Sequence, residues 1–70
     1  MASDREFVVT LDGAEVELKA ADLDEAVDLA ILMAGWAFYR VLDSSARMAV
    51  VEKRANERMV VEERFHGVDW

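Results

Sequence analysis

Glu6-Phe7-Val8-Val9-Thr10-Leu11-Asp12-Gly13-Ala14-Glu15-Val16-Glu17-Leu18-Lys19 is the stretch that decides the fold of this chain. Successive side chains of a strand point to opposite faces, so Phe7, Val9 and Leu11 share one side. Asp12-Gly13 follows, a pair able to adopt the positive φ angles of a tight two-residue turn. Beyond it Val16 and Leu18 alternate with Glu15, Glu17 and Lys19, which places the charges outward. The segment reads as a β-hairpin.

Downstream of the hairpin, Asp22-Leu23-Asp24-Glu25 reads as a helix start. Asp22 can accept the orphan amide hydrogens of the first turn, and Glu25 stands three residues later as in a capping box. The acids also suit the positive end of the helix dipole. At 100° per residue, Leu23, Ala26, Val27, Ala30, Ile31, Met33 and Ala34 share a broad apolar arc, with Asp24, Glu25 and Asp28 opposite. Leu32 falls among the acids, either spare or a contact, and Gly35 is the natural stop.

Three more strands are expected: Trp36 to Leu42, Met48 to Lys53 and Arg58 to Phe65. Asp43-Ser44-Ser45-Ala46 and Arg54-Ala55-Asn56-Glu57 form the turns between them, Asn56 tolerating a left-handed conformation. The order ββαβββ predicts an α+β fold, one helix packed on a mostly antiparallel five-stranded sheet. Seventy residues without a proline suit a single small domain over 1–70, its ordered part spanning about 5–66 and residues 67–70 forming a tail. The apolar end of that tail, Val68-Asp69-Trp70, is read either as unattached or as docked on this molecule or a partner.

Four-residue turns would pair Leu42 with Arg47 and Lys53 with Arg58. One face of the sheet would then carry Ala37, Tyr39, Val41, Met48, Val50, Met59, Val61 and Phe65 and receive the helix. The other face would carry Trp36, Phe38, Leu42, Ala49, Val51 and Val60 among Arg40, Arg47, Lys53, Arg58 and Arg64. Aromatic residues with interleaved arginines match the composition of interface hot spots. Trp36, Phe38, Arg40, Val51, Arg58 and Val60 are therefore the expected partner or dimer interface. A slip of one residue in register would exchange the two faces.

The chemistry the chain can carry is narrow. No cysteine is present and His66 is the lone histidine, so a disulfide, a Cys-based zinc site and a His-based metal site are excluded. The glycines at 13, 35 and 67 are isolated and make no phosphate loop. Asp24, Glu25 and Asp28 lie on the polar side of a helix, where acids are ordinarily solvated. Glu62 and Glu63 are adjacent in a strand and point apart. Ser44 and Ser45 sit in a turn with no histidine nearby in sequence, and His66 reads as a surface group. Met33, Met48 and Met59 read as core filling. Neither an enzyme nor a cofactor is expected. No apolar run reaches the length that crosses a bilayer, and the N-terminus lacks the pattern of a secretory signal, so a cytoplasmic location is expected.

Charge is the remaining signal. Residues 1–35 hold nine acids and two bases, while residues 36–70 hold six of each, so the whole formal charge of −7 resides in the first half. Such a balance opposes direct binding to a nucleic-acid polyanion. It suits instead an acidic edge, Asp24, Glu25 and Asp28, that steers the chain to a basic protein groove. With 54% hydrophobic residues in so short a chain, a homodimer is also expected. The composition is similar to that of small acidic phage and mobile-element inhibitors of restriction or CRISPR effectors. By that analogy the expected function is a non-enzymatic inhibitor or adaptor occluding a surface of a larger protein, with a basic nucleic-acid-binding protein as the natural partner. The alternative is a nucleic-acid-associated module that uses the Arg/aromatic sheet face.

Overall fold

The computed structural model describes residues 4–54 and 56–64. It contains β1 (Arg5–Leu11), β2 (Ala14–Ala20), α1 (Leu23–Ala34), β3 (Tyr39–Ser44), β4 (Met48–Lys53) and β5 (Arg58–Glu63). The five strands form one sheet in the order β2-β1-β5-β4-β3, and every neighbouring pair is antiparallel. The expected α+β architecture holds, with one helix on a five-stranded antiparallel sheet. The expectations for Ala55, Phe65, His66 and the 67–70 tail concern positions outside the described residues.

The local signals act as the physics requires. Asp12 (φ 57°) and Gly13 (φ 83°) close the first hairpin with the Leu11–Ala14 pair on either side. Asp22 caps α1: its carboxylate accepts the Glu25 amide at 2.9 Å, while Glu25 accepts the Ala21 amide at 2.6 Å. At the other end Gly35 adopts φ 72°, in the left-handed region where a side chain would be strained. Its amide donates to the Leu32 carbonyl, and the Trp36 amide donates to the Ile31 carbonyl. This pair of bonds forms the Schellman motif, which folds the residue after glycine back onto the last helical turns.

That motif corrects the expected start of the third strand. Trp36 does not begin β3; it is turned into the core with 8% exposure, in one cluster with Ile31, Val27 and Met59. β3 begins three residues later, at Tyr39. The indole is thus an internal anchor and not the free anchor of an interface.

The turns also differ from expectation. The Lys53 amide donates to the Glu57 carbonyl at 2.7 Å, and Glu52, not Lys53, pairs with Arg58. This one-residue slip carries Ala49 and Val51 to the helix side and Met48 and Val50 to the opposite side. Val51, expected at an interface, is completely buried. The β3–β4 turn is tighter and later than expected, with the Ser45 amide donating to the Met48 carbonyl and Ser44 pairing with Ala49. A bulge between Val41 and Asp43 then restores Tyr39 and Val41 to the helix side.

The core lies between α1 and the middle of the sheet. Ala26, Val27, Ala30 and Ile31 pack down on Phe7, Val9, Val51, Met59 and Val61, and no polar or charged side chain among the described residues is buried. A helix is about 10 Å across, whereas five strands at about 4.8 Å spacing span about 19 Å between their outer axes. One helix therefore cannot roof the whole sheet. α1 packs over β5, β2, β4 and β1, and every residue of β3 remains exposed.

Candidate functional site: the uncovered β3 edge

Among the described residues, four of the seven exposed large apolar side chains lie on the last strand in sheet order or just before it. Phe38 (62% exposed), Tyr39 (47%), Val41 (48%) and Leu42 (39%) follow one another along it. An edge strand leaves a row of backbone N–H and C=O groups without sheet partners, and proteins ordinarily blunt such an edge with charge or proline. β3 carries two such charges, Arg40 and Asp43, and a bulge between Val41 and Asp43, but no proline, and Tyr39, Val41 and Leu42 stay exposed beside them.

Two sides of the strand offer different chemistry. On the helix side Tyr39, Val41 and Ser44 form one wall of a groove whose other wall is Asp24, Val27 and Asp28 of α1. On the open side, away from the helix, the Arg54 guanidinium lies 5.6 Å from the centre of the Phe38 ring, a cation–π arrangement. Beside it the Arg40 Nη2 donates to Glu52 Oε1 at 3.1 Å, and the other oxygen of Glu52 lies 3.8 Å from the Arg58 Nε. Glu52 thus sits between two arginines from flanking strands and neutralises part of their charge.

The six residues expected to make one interface are accordingly divided. Phe38, Arg40 and Arg58 are exposed and Val60 is half-buried on the open face, where it pairs with Val50 and Thr10. Trp36 and Val51 are inside. The basic array is divided as well: Lys53 pairs with Tyr39 on the helix side, and Arg64 forms an ion pair with Glu17 at 2.8 Å. The open face holds Glu6, Glu15, Glu17, Asp43, Glu52 and Glu62 against Lys19, Arg40, Arg54, Arg58 and Arg64. It is net acidic, not basic.

The acidic edge stands where the sequence placed it, with a difference between its members. Asp24, Glu25 and Asp28 are all exposed on α1. Glu25 is engaged in the helix cap, and Asp24 and Asp28 face the groove. The sequence pattern places Tyr39 and Val41 on the covered face, yet both are exposed. Their exposure follows from the sheet's width: a helix that packs as far as β2 at one edge does not also roof β3 at the other.

A smaller apolar cleft lies on the other flank of α1, where Met33 (53% exposed) and Val16 (46%) stand over Leu11 and Met59. Leu32, the residue out of phase with the helix, is 75% exposed. No helix of the described residues is long and apolar enough to cross a membrane, and no group of three or more His, Asp or Glu side chains among them is placed to hold a metal. Compared with known protein families, curated proteins and solved structures, the chain matches none.

Proposed function

We propose that this chain is a small acidic, non-enzymatic protein-binding module, an inhibitor or adaptor that uses its β3 edge to occlude a basic surface on a larger protein. The observation that carries this reading is the uncovered run Phe38-Tyr39-Arg40-Val41-Leu42, exposed along its whole length. An apolar edge of this kind ordinarily belongs against another chain. The formal charge of −7 supplies the sign of the partner. A second copy would be repelled at long range, whereas a basic groove built for nucleic acid would attract the chain and speed its encounter. Small inhibitors of phage and mobile-element origin supply the compositional analogy, with the cytoplasm as the working compartment.

The reading is tested by capture from native lysate with the wild-type chain and with Val41→Asp. A partner with a basic isoelectric point, retained by the wild type and lost with Val41→Asp while the circular dichroism is unchanged, is the expected result. Capture that ignores the substitution would reject the β3 surface.

The Phe38–Arg54 stack beside Arg40 favours a second reading, a module that binds single-stranded nucleic acid by stacking and phosphate contacts. The acids interleaved on the open face oppose it. Binding of single-stranded DNA or RNA at low salt, abolished by Arg40→Glu with Arg58→Glu, would establish the second reading in place of the first.

A further inference from the structure

Resting on the protein-binding reading above, we propose that the partner enters as an extended strand added along the free edge of β3, with Lys or Arg at alternate positions lying in the groove between α1 and β3. The edge and the groove are separate features that agree on this occupant. Among the described residues β3 pairs with β4 alone, so along Tyr39–Ser44 the backbone groups that point away from β4 are open on either side of the bulge, and an incoming strand satisfies them in the manner of β-augmentation. The groove determines which side chains that strand carries.

On the helix side of β3 an added strand presents every second residue toward α1. The surface these residues first meet is apolar, Tyr39 and Val41, and behind it stand the carboxylates of Asp24 and Asp28. A short aliphatic side chain would cover the first and leave the second unanswered. Lysine and arginine answer both: their methylene stems lie on apolar surface while the charged head reaches a polar partner. Tyr39 adds an aromatic face for the same cation.

Spacing supports the match. Asp24 and Asp28 are four residues apart on a helix, a rise of about 6 Å. Alternate residues of a strand are about 6.7 Å apart. The two repeats are close in length, so two basic residues at positions i and i+2 of the partner are spaced to meet one carboxylate each. An acidic segment would meet like charge at both positions and be rejected, so the groove selects as well as attracts. On the opposite side the added strand meets Arg40 and Asp43, one charge of each sign, which sets no overall preference.

The test uses the full chain and three synthetic six-residue probes: alternating Lys-Val, alternating Glu-Val, and a block Lys-Lys-Lys-Val-Val-Val with the same charge as the first. Affinity is read by fluorescence anisotropy and the location by hydrogen exchange of backbone amides. The alternating Lys-Val peptide is expected to bind at least about tenfold tighter than the block peptide and to protect amides of β3. The Glu-Val peptide should not bind. Asp24→Asn with Asp28→Asn should weaken the Lys-Val peptide about tenfold with the helix content unchanged.

Equal affinity for the block peptide, or protection on β2 instead of β3, would overturn the proposal. A dimer by light scattering, with β3 amides protected before any peptide is added, would overturn it too and make a second copy the occupant. If the peptides fail while lysate capture still depends on Val41, strand addition alone is lost. If capture is indifferent to Val41, the protein-binding reading itself falls.

Discussion

The sheet has two edges, and they are built differently. Val16 on β2 and Val41 on β3 are the same residue type at nearly the same exposure, 46% and 48%. Around Val16 the strand alternates strictly with charge, Glu15, Glu17 and Lys19 along the open face, and Glu17 is tied to Arg64. Around Val41 the neighbours are Tyr39, Arg40 and Leu42, with Phe38 and Asp43 beyond them, and α1 stands across a groove without covering them. Charged alternation is a device that keeps an edge from pairing with other chains. β2 carries the device and β3 only fragments of it, so the same valine has different meanings at the two edges.

The largest effect that bears on this contrast comes from Trp36, the residue that delivers the chain from α1 to β3. Removing a large buried aromatic side chain costs about 3–5 kcal/mol, comparable with the whole stability of so small a domain. Trp36→Ala should therefore abolish the cooperative urea transition, while Phe38→Ala, two residues later and 62% exposed, should move it by less than about 1 kcal/mol. If the two variants unfold alike, Trp36 is not an internal anchor and the start of β3 is misplaced.

What the sequence could show is bounded by this same region. The hairpin, the helix and its caps rest on local chemistry: Asp12-Gly13, the Asp22/Glu25 cap and Gly35 each satisfy backbone geometry within a few residues, and all are legible. The three-strand meander depends on register, which turn length controls and composition does not. A loop one residue shorter between Lys53 and Glu57 moved Val51 from one side of the sheet to the other. Trp36 departs from the strand pattern for a related reason: the Schellman geometry at Gly35 aims the next side chain inward, which an alternating strand pattern does not anticipate. The exposed members of the candidate surface, Phe38, Arg40 and Arg58, survive because their side of the strand is unaffected by either error.

The contrast between edges is sharpened by a matched pair of substitutions. Val41→Lys and Val16→Lys place the same charge at equally exposed positions, so both should leave stability within about 1 kcal/mol of the wild type. Only Val41→Lys should reduce partner capture, by more than about tenfold, since it sets a cation where the partner's own cations lie. Titration against the captured partner by surface plasmon resonance measures this. Equal losses at both edges would mean that charge alone, and not the β3 surface, governs binding.

The smallest effect concerns Glu52, and it separates the two functional readings. Its side chain is 14% exposed, but Arg40 and Arg58 are 72% and 67% exposed, so water screens much of their attraction to it. Glu52→Gln should cost less than about 1 kcal/mol in a urea titration, and the loss should shrink further at high salt. The substitution removes the acid that lies between two arginines on neighbouring strands and near the Phe38–Arg54 stack. If the open face has a latent affinity for single-stranded nucleic acid, Glu52→Gln should reveal it at low salt. If the wild-type chain binds such a strand as well as the variant does, Glu52 is no barrier, and the β3 edge is shared with a polyanion-binding face.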